Sequence, residues 1–188
     1  MITKIYKQQS PICYLYAIAY ALQDKYNVIP TDSEIEQYAK KALASKGRTG
    51  KQVIKLPELV YYMSRESFCG YKIAEHKTVH RALRSKKAKL STSALHDAYS
   101  AGYALIYGIK IRQGGFRNRI DEWGVYQPPK DTKRIDGHAV YGLGMGSTLE
   151  FVNSHGIDFG KDGYFWLCER NFDEIEYVEA IKFIPKYS

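Results

Sequence analysis

Asn153-Ser154-His155-Gly156-Ile157-Asp158-Phe159-Gly160-Lys161-Asp162-Gly163-Tyr164 lies between two short apolar runs, Leu149 to Asn153 and Tyr164 to Cys168. Its glycines force tight backbone turns, because glycine enters the left-handed region without steric cost. The stretch reads as two strands joined by a turn-rich loop, with Asn153 at the end of the first. Taken alone, an asparagine there serves structure.

Working outward, the rest of the second half reads as strands: Ala104 to Ile111, Gly124-Val-Tyr-Gln-Pro-Pro, Ala139 to Leu143 and Ile181 to Ile184. Gln113 to Asp136 is the longest irregular stretch. His138 enters its strand just after Gly137, where an isolated histidine is more often a satisfied core or edge residue than a base. The first half reads as helices. Cys13 to Tyr26 has no Gly or Pro and is apolar on nearly every face, which predicts a buried helix. A second helix begins near Ser33, capped by Asp32 or Thr31, and ends before Gly47. Pro57 to Glu66 and Ser91 to Ser100 complete the set. Helices first and strands second predict an α+β protein with segregated lobes, residues 1–90 and 91–188.

With 188 residues, 45% of them apolar and 26% charged, the chain can bury one sizeable core and is not a disordered chain. Its longest apolar run, Ile12 to Leu22, is about half of the ~20 residues a membrane span needs, so no membrane partner is expected. The polar start Met1-Ile-Thr-Lys-Ile-Tyr-Lys is no signal peptide. Cys13, Cys69 and Cys168 lie far apart, which argues against a disulfide framework or cysteine zinc site and for a reducing compartment such as the cytoplasm. Most of the net charge of +8 comes from Tyr71 to Leu90, where Lys72, Lys77, Arg81, Arg84, Lys86, Lys87 and Lys89 face only Glu75. Without interleaved aromatics this is read as a solvated face, and nucleic acid is not an expected partner.

Cys13 opens a helix, where unpaired N–H groups and the dipole favour thiolate. Cysteine, histidine and asparagine in that chain order, the first on a helix and the others at strand ends, follow the logic of nucleophile, base and orienting residue. The wording resembles the papain-like cysteine peptidases. Ile2-Thr-Lys-Ile-Tyr-Lys-Gln8 resembles their Val-Thr-Pro-Val-Lys-Asn-Gln, and Cys13-Tyr14 with Ala17 their Cys-Trp-Ala-Phe. Gly137-His138-Ala139-Val140 resembles their His-Ala-Val, and residues 153–164 match Asn-Ser-Trp-Gly-x-x-Trp-Gly-x-x-Gly-Tyr without insertion or deletion.

The resemblance implies a two-lobe fold, with a central helix starting at Cys13, an antiparallel β-barrel-like second lobe and a cleft between the lobes. It implies that Cys13 attacks a peptide carbonyl, that His138 carries the proton and that Asn153 orients His138. Gln8 would complete the oxyanion hole, and Gly70, Gly137, Ala139 and Tyr107 would contact substrate. In papain such a pairing draws the thiol to roughly 3–4 from ~8.5. No metal or cofactor is implied. The implied partners are a peptide or protein substrate and inhibitors of the cystatin or epoxysuccinyl type.

The pattern also departs from the family. Gln8 is one residue closer to Cys13 than usual, so Gln9 competes for the oxyanion role. His155 replaces the tryptophan that shields the asparagine–histidine bond. Cys69 lacks its usual disulfide partner, and Gly70 stands where two glycines are usual. Met1 is 12 residues before Cys13, which reads as a chain without propeptide, or as a segment cut from a viral polyprotein. Three functions remain: an endopeptidase, an acyl-transfer or deubiquitinating variant on the same residues, and a non-catalytic binding module docking through Lys77 to Lys89.

Overall fold

The computed structural model describes residues 1–8, 11–48, 54–82, 89–129 and 132–187. Helix α1 (Cys13–Tyr26) is buried continuously from Leu15 to Gln23, as its all-round apolarity requires, and Asn27 closes it in the left-handed conformation at φ 55°. Helix α2 (Asp32–Ala44) starts with a capping box. The Glu34 N–H donates to Thr31 Oγ1 at 3.2 Å and the Thr31 N–H to the Glu34 carboxylate at 2.7 Å, so Thr31 and not Asp32 is the cap. Helix α3 (Leu56–Met63) carries Pro57 in its first turn, and α4 (Thr92–Ser100) is capped by Ser91.

Strands β1 (Tyr71–Arg81), β2 (Ala104–Arg112), β3 (Arg134–Gly142), β4 (Thr148–Val152), β5 (Tyr164–Cys168) and β6 (Ile175–Pro185) form one antiparallel sheet. The order is β1-β6-β2-β3-β4-β5 and the sheet does not close, so the barrel-like lobe is an open sheet. Strand β1 is the element the sequence pattern does not reveal. It lies on the sheet edge with only Ile73 and His80 buried, and Lys77 and Arg81 are exposed. Hydrophobic alternation is absent where a strand buries little, and lysines on an edge discourage further pairing. The pattern also under-reads β6, whose first half is paired to both β1 and β2.

The sheet separates two cores. Ala104 and Ile106 of β2, with Ala139 and Tyr141 of β3, join the core around α1. Leu105, Tyr107, Ile109 and Val140 enter the core on the other face with Phe116, Phe151, Phe159 and Phe165. This period of two decides what reaches the cleft. Tyr107 is fully buried with its ring 5.0 Å from Phe151, on the face away from α1, so it is not a cleft residue. Its neighbour Gly108 leaves the space that Tyr177 fills: a Cβ there would stand 1.9 Å from the Tyr177 ring.

Candidate active site

A cleft of about 600 Å³ is lined by Cys13 and Tyr14 at the start of α1, by Gly137, His138 and Ala139 of β3, and by Gln8 and His155. The turn-rich segment holds one side together. Asn153 donates its N–H to the Gly163 carbonyl at 3.0 Å, which folds the loop back on itself. The amino-terminal segment then lies along it, with the Gln8 N–H donating to Ser154 O at 2.7 Å and the Gly156 N–H to Tyr6 O at 3.0 Å. Tyr20, one turn into α1 beyond Tyr16, ties these parts to the helix. Its hydroxyl donates to Asn153 O at 2.9 Å and accepts from the Tyr6 N–H at 2.8 Å.

His138 and Asn153 are buried, and His138 Nε2 lies 2.7 Å from Asn153 Oδ1. A carbonyl oxygen only accepts, so Nε2 carries the proton and Nδ1 is left as the basic nitrogen. Asn153 Nδ2 is buried with no partner among the described residues. His155 covers the His138 ring at 4.6 Å between centroids, in the place where the resembled family has tryptophan. Phe159 meets His155 edge-on at 5.2 Å, and Phe116 stands 6.2 Å from His138. His155 and Phe116 thus pack against the His138 ring, and Phe159 backs both of them.

Burial pushes the Cys13 thiol up, and the charge of Asp136 acts in the same direction, while the main-chain N–H groups of Ala139 and Tyr14 act against them. Burial likewise pushes His138 down to about 4, helped by His155 and opposed by Asn153 and Asp136. This is opposite to the depressed thiol implied by the resemblance. Desolvation penalises each charge separately.

Gln8 lines the cleft with its side-chain carbonyl engaged by the Ser154 hydroxyl, which leaves its NH₂ as a donor. Gln9 lies outside the described residues. Gly137 and Ala139 line the cleft, and a Cβ on Gly137 would stand 3.1 Å from the Arg134 guanidinium. Gly70 is elsewhere. It has φ +83° in the turn between Phe68 and Tyr71, and its carbonyl accepts from the Lys186 N–H at 2.8 Å. The cleft takes other side chains in its place: Tyr14 and Tyr177, linked through their hydroxyls, together with Ile111 and the Arg134–Glu176 ion pair at 2.7 Å. Sequence reasoning missed these and also Phe116 and Ser154. Tyr14 and Ser154 had a signal, their places next to Cys13 and Asn153. Of the basic stretch, residues 83–88 lie outside the described residues, while Arg81 and His76 pair with the buried Glu179. Cys13, Cys69 and Cys168 are free thiols, and burial pushes Cys69 to about 12.

Known structures agree with this architecture. The chain is similar to xylellain, a cysteine protease from Xylella fastidiosa, with TM-score 0.67 and 15% identity over 97% of this chain and 83% of that one. It is similar to the Carica candamarcensis cysteine protease CMS1MS2, solved with E-64, with TM-score 0.65 and 11% identity over 96% and 93% of the chains. Digestive procathepsin L 3 of Tenebrio molitor larval midgut matches with TM-score 0.60 and 14% identity over 96% of this chain and 66% of that one. No protein-family model and no curated protein matches the sequence. The fold is that of the papain-like cysteine proteases. Among the described residues no helix is long and apolar enough to cross a membrane.

Proposed function

We propose that the protein is a papain-like cysteine endopeptidase. The observation that carries this reading is the buried His138 Nε2 to Asn153 Oδ1 contact of 2.7 Å, which leaves Nδ1 as the basic nitrogen of a residue that lines the same cleft as Cys13. His138 takes the thiol proton as sulfur attacks the peptide carbonyl, forming a C–S bond. The oxyanion is received by the Cys13 N–H and the Gln8 NH₂. The C–N bond breaks as His138 returns the proton to the leaving amine. Water, deprotonated by His138, then attacks the thioester, and the released thiolate recovers its proton. The two lobes, 1–90 and 91–188, act as one cooperative unit, a reading supported by β1 pairing with β6 across that boundary.

A second reading, a papain-fold binding module, is favoured by the upward push on the Cys13 thiol. The experiment that separates them is intact-protein mass spectrometry after brief exposure to E-64, the ligand of the Carica candamarcensis structure. A single adduct on the wild type that is absent from Cys13→Ala is expected of the peptidase. A folded protein that gives no adduct would leave the binding module.

A further inference from the structure

Two arginines line the cleft in different electrical circumstances. Arg134 is neutralised by the Glu176 carboxylate at 2.7 Å. Arg117 is exposed and donates to the backbone carbonyl of Asp158 at 2.9 Å, and no carboxylate among the described residues forms an ion pair with it. A carbonyl fixes the direction of a guanidinium without cancelling its charge. Arg117 therefore stands as an aimed, uncompensated cation at the mouth of the cleft.

Its position relates it to the chemistry. It follows Phe116, whose ring flanks His138, and precedes Asn118, and all three line the cleft. Its field reaches His155, which is pushed down by burial first and by Arg117 second. His155 in turn covers His138. The leaving amine takes its proton from His138, so the departing part of a substrate begins beside the imidazole and runs along His155, Phe116 and Arg117.

We propose that Arg117, with Asn118 as a neutral second donor, binds a carboxylate on the leaving-group side of the scissile bond. The carboxylate is either an Asp or Glu side chain within the first two residues after the cut, or the terminal carboxylate of a short leaving peptide. Guanidinium recognises both through the same charge-assisted hydrogen bonds. This inference rests on the peptidase reading above and gives it a substrate class.

The test uses quenched fluorescent peptides in Asp/Asn and Glu/Gln pairs at the first and second leaving positions, each as free acid and as terminal amide. In the wild type the acid member is expected to be cut with kcat/KM about tenfold above its amide partner, and the ratio should shrink as salt rises. Arg117→Gln should bring the ratio to about one, and Arg117→Glu should invert it, the amide member being cut faster than its acid partner. A preference kept in amidated peptides assigns the side chain, and one seen only in free acids assigns the chain end. The same pairs binding to Cys13→Ala protein, followed by fluorescence anisotropy, give the ratio without turnover. Equal ratios in wild type and Arg117→Gln, with peptides cut or Cys13 labelled by E-64, would overturn the carboxylate assignment and leave the peptidase standing. No cleavage and no Cys13 adduct would overturn both.

Discussion

Cys13 and His138 face the same cleft, but the molecule supports them by different means. Around Cys13 the main chain dominates: the N–H groups of Tyr14 in the first turn of α1 and of Ala139 favour the thiolate, and behind them α1 is buried through Gln23. Around His138 the supports are side chains: Asn153 as acceptor, with His155, Phe116 and Phe159 as covering rings. A backbone support survives replacement of its neighbours' side chains. A side-chain support is lost with a single substitution. The sulfur wall is thus set by the fold, and the imidazole wall by particular residues.

The strongest challenge to this contrast is Cys13→Ala. It removes the nucleophile but none of the supports, so peptide cleavage should fall by on the order of 10³ or more, while the thermal midpoint moves only a few degrees. Gross unfolding of this variant by circular dichroism would show that the sulfur wall depends on the side chain after all.

Asn153→Ala attacks the other wall and should damage both rate and stability. It leaves the His138 Nε2–H buried without its acceptor, which costs about 1–3 kcal/mol, and kcat is expected to fall about 10²-fold with the ring no longer oriented. Urea unfolding and steady-state kinetics measure the two effects. A stable variant with undiminished kcat would mean that the three rings alone hold the imidazole.

Acid should weaken the imidazole wall first. The folded-state pKa of His138 lies below its ordinary value, at about 4, so the unfolded chain binds the extra proton more readily between about pH 6.5 and 4. Its stabilising contribution is complete above that window and is lost as pH falls through it. The loss from His138 is about 2 kcal/mol between pH 7 and 5. His155 and His80, also pushed down by burial, add to it with the same sign. Urea midpoints at the two pH values check this, and His138→Gln should show a smaller drop. An equal drop in both proteins would place the pH sensitivity elsewhere.

Ser154→Ala should give the smallest effect. It releases the Gln8 carbonyl without removing the Gln8 donor, so kcat should drop several-fold at constant KM. Gln8→Ala should cost more, about 10²–10³-fold. Equal losses in the two variants would show that Gln8 works only when Ser154 holds it.

How much of this was legible varies by element for physical reasons. The ends of α1 were readable from composition, because apolarity on every face and the absence of Gly and Pro admit little besides a buried helix. Strand β5 was equally plain between its turn signals. Strand β1 was hidden because an edge strand with two buried side chains carries no periodic signal. Tyr107 turns away from the cleft because side chains alternate along a strand, and a resemblance of wording does not fix which face a given residue takes. Phe116 and Arg117 sit in an irregular loop between β2 and β3, where nothing local announces that the ring will join the second core and the cation the cleft.

The sequence by itself determined the α+β class, the turn-rich segment from Asn153 to Tyr164, and the candidacy of Cys13, His138, Asn153 and Gln8. Those features are written in local propensity, glycine placement and short motifs. Only the tertiary structure decided that Asn153 reaches His138 Nε2, that Ser154 orients Gln8, and that the cleft is walled by Tyr14, Tyr177 and Phe116 rather than by Gly70 and Tyr107. Those depend on contacts between residues far apart in the chain, such as Gln8 with Ser154 and Tyr14 with Tyr177, which exist only once sheet register and α1 packing are set.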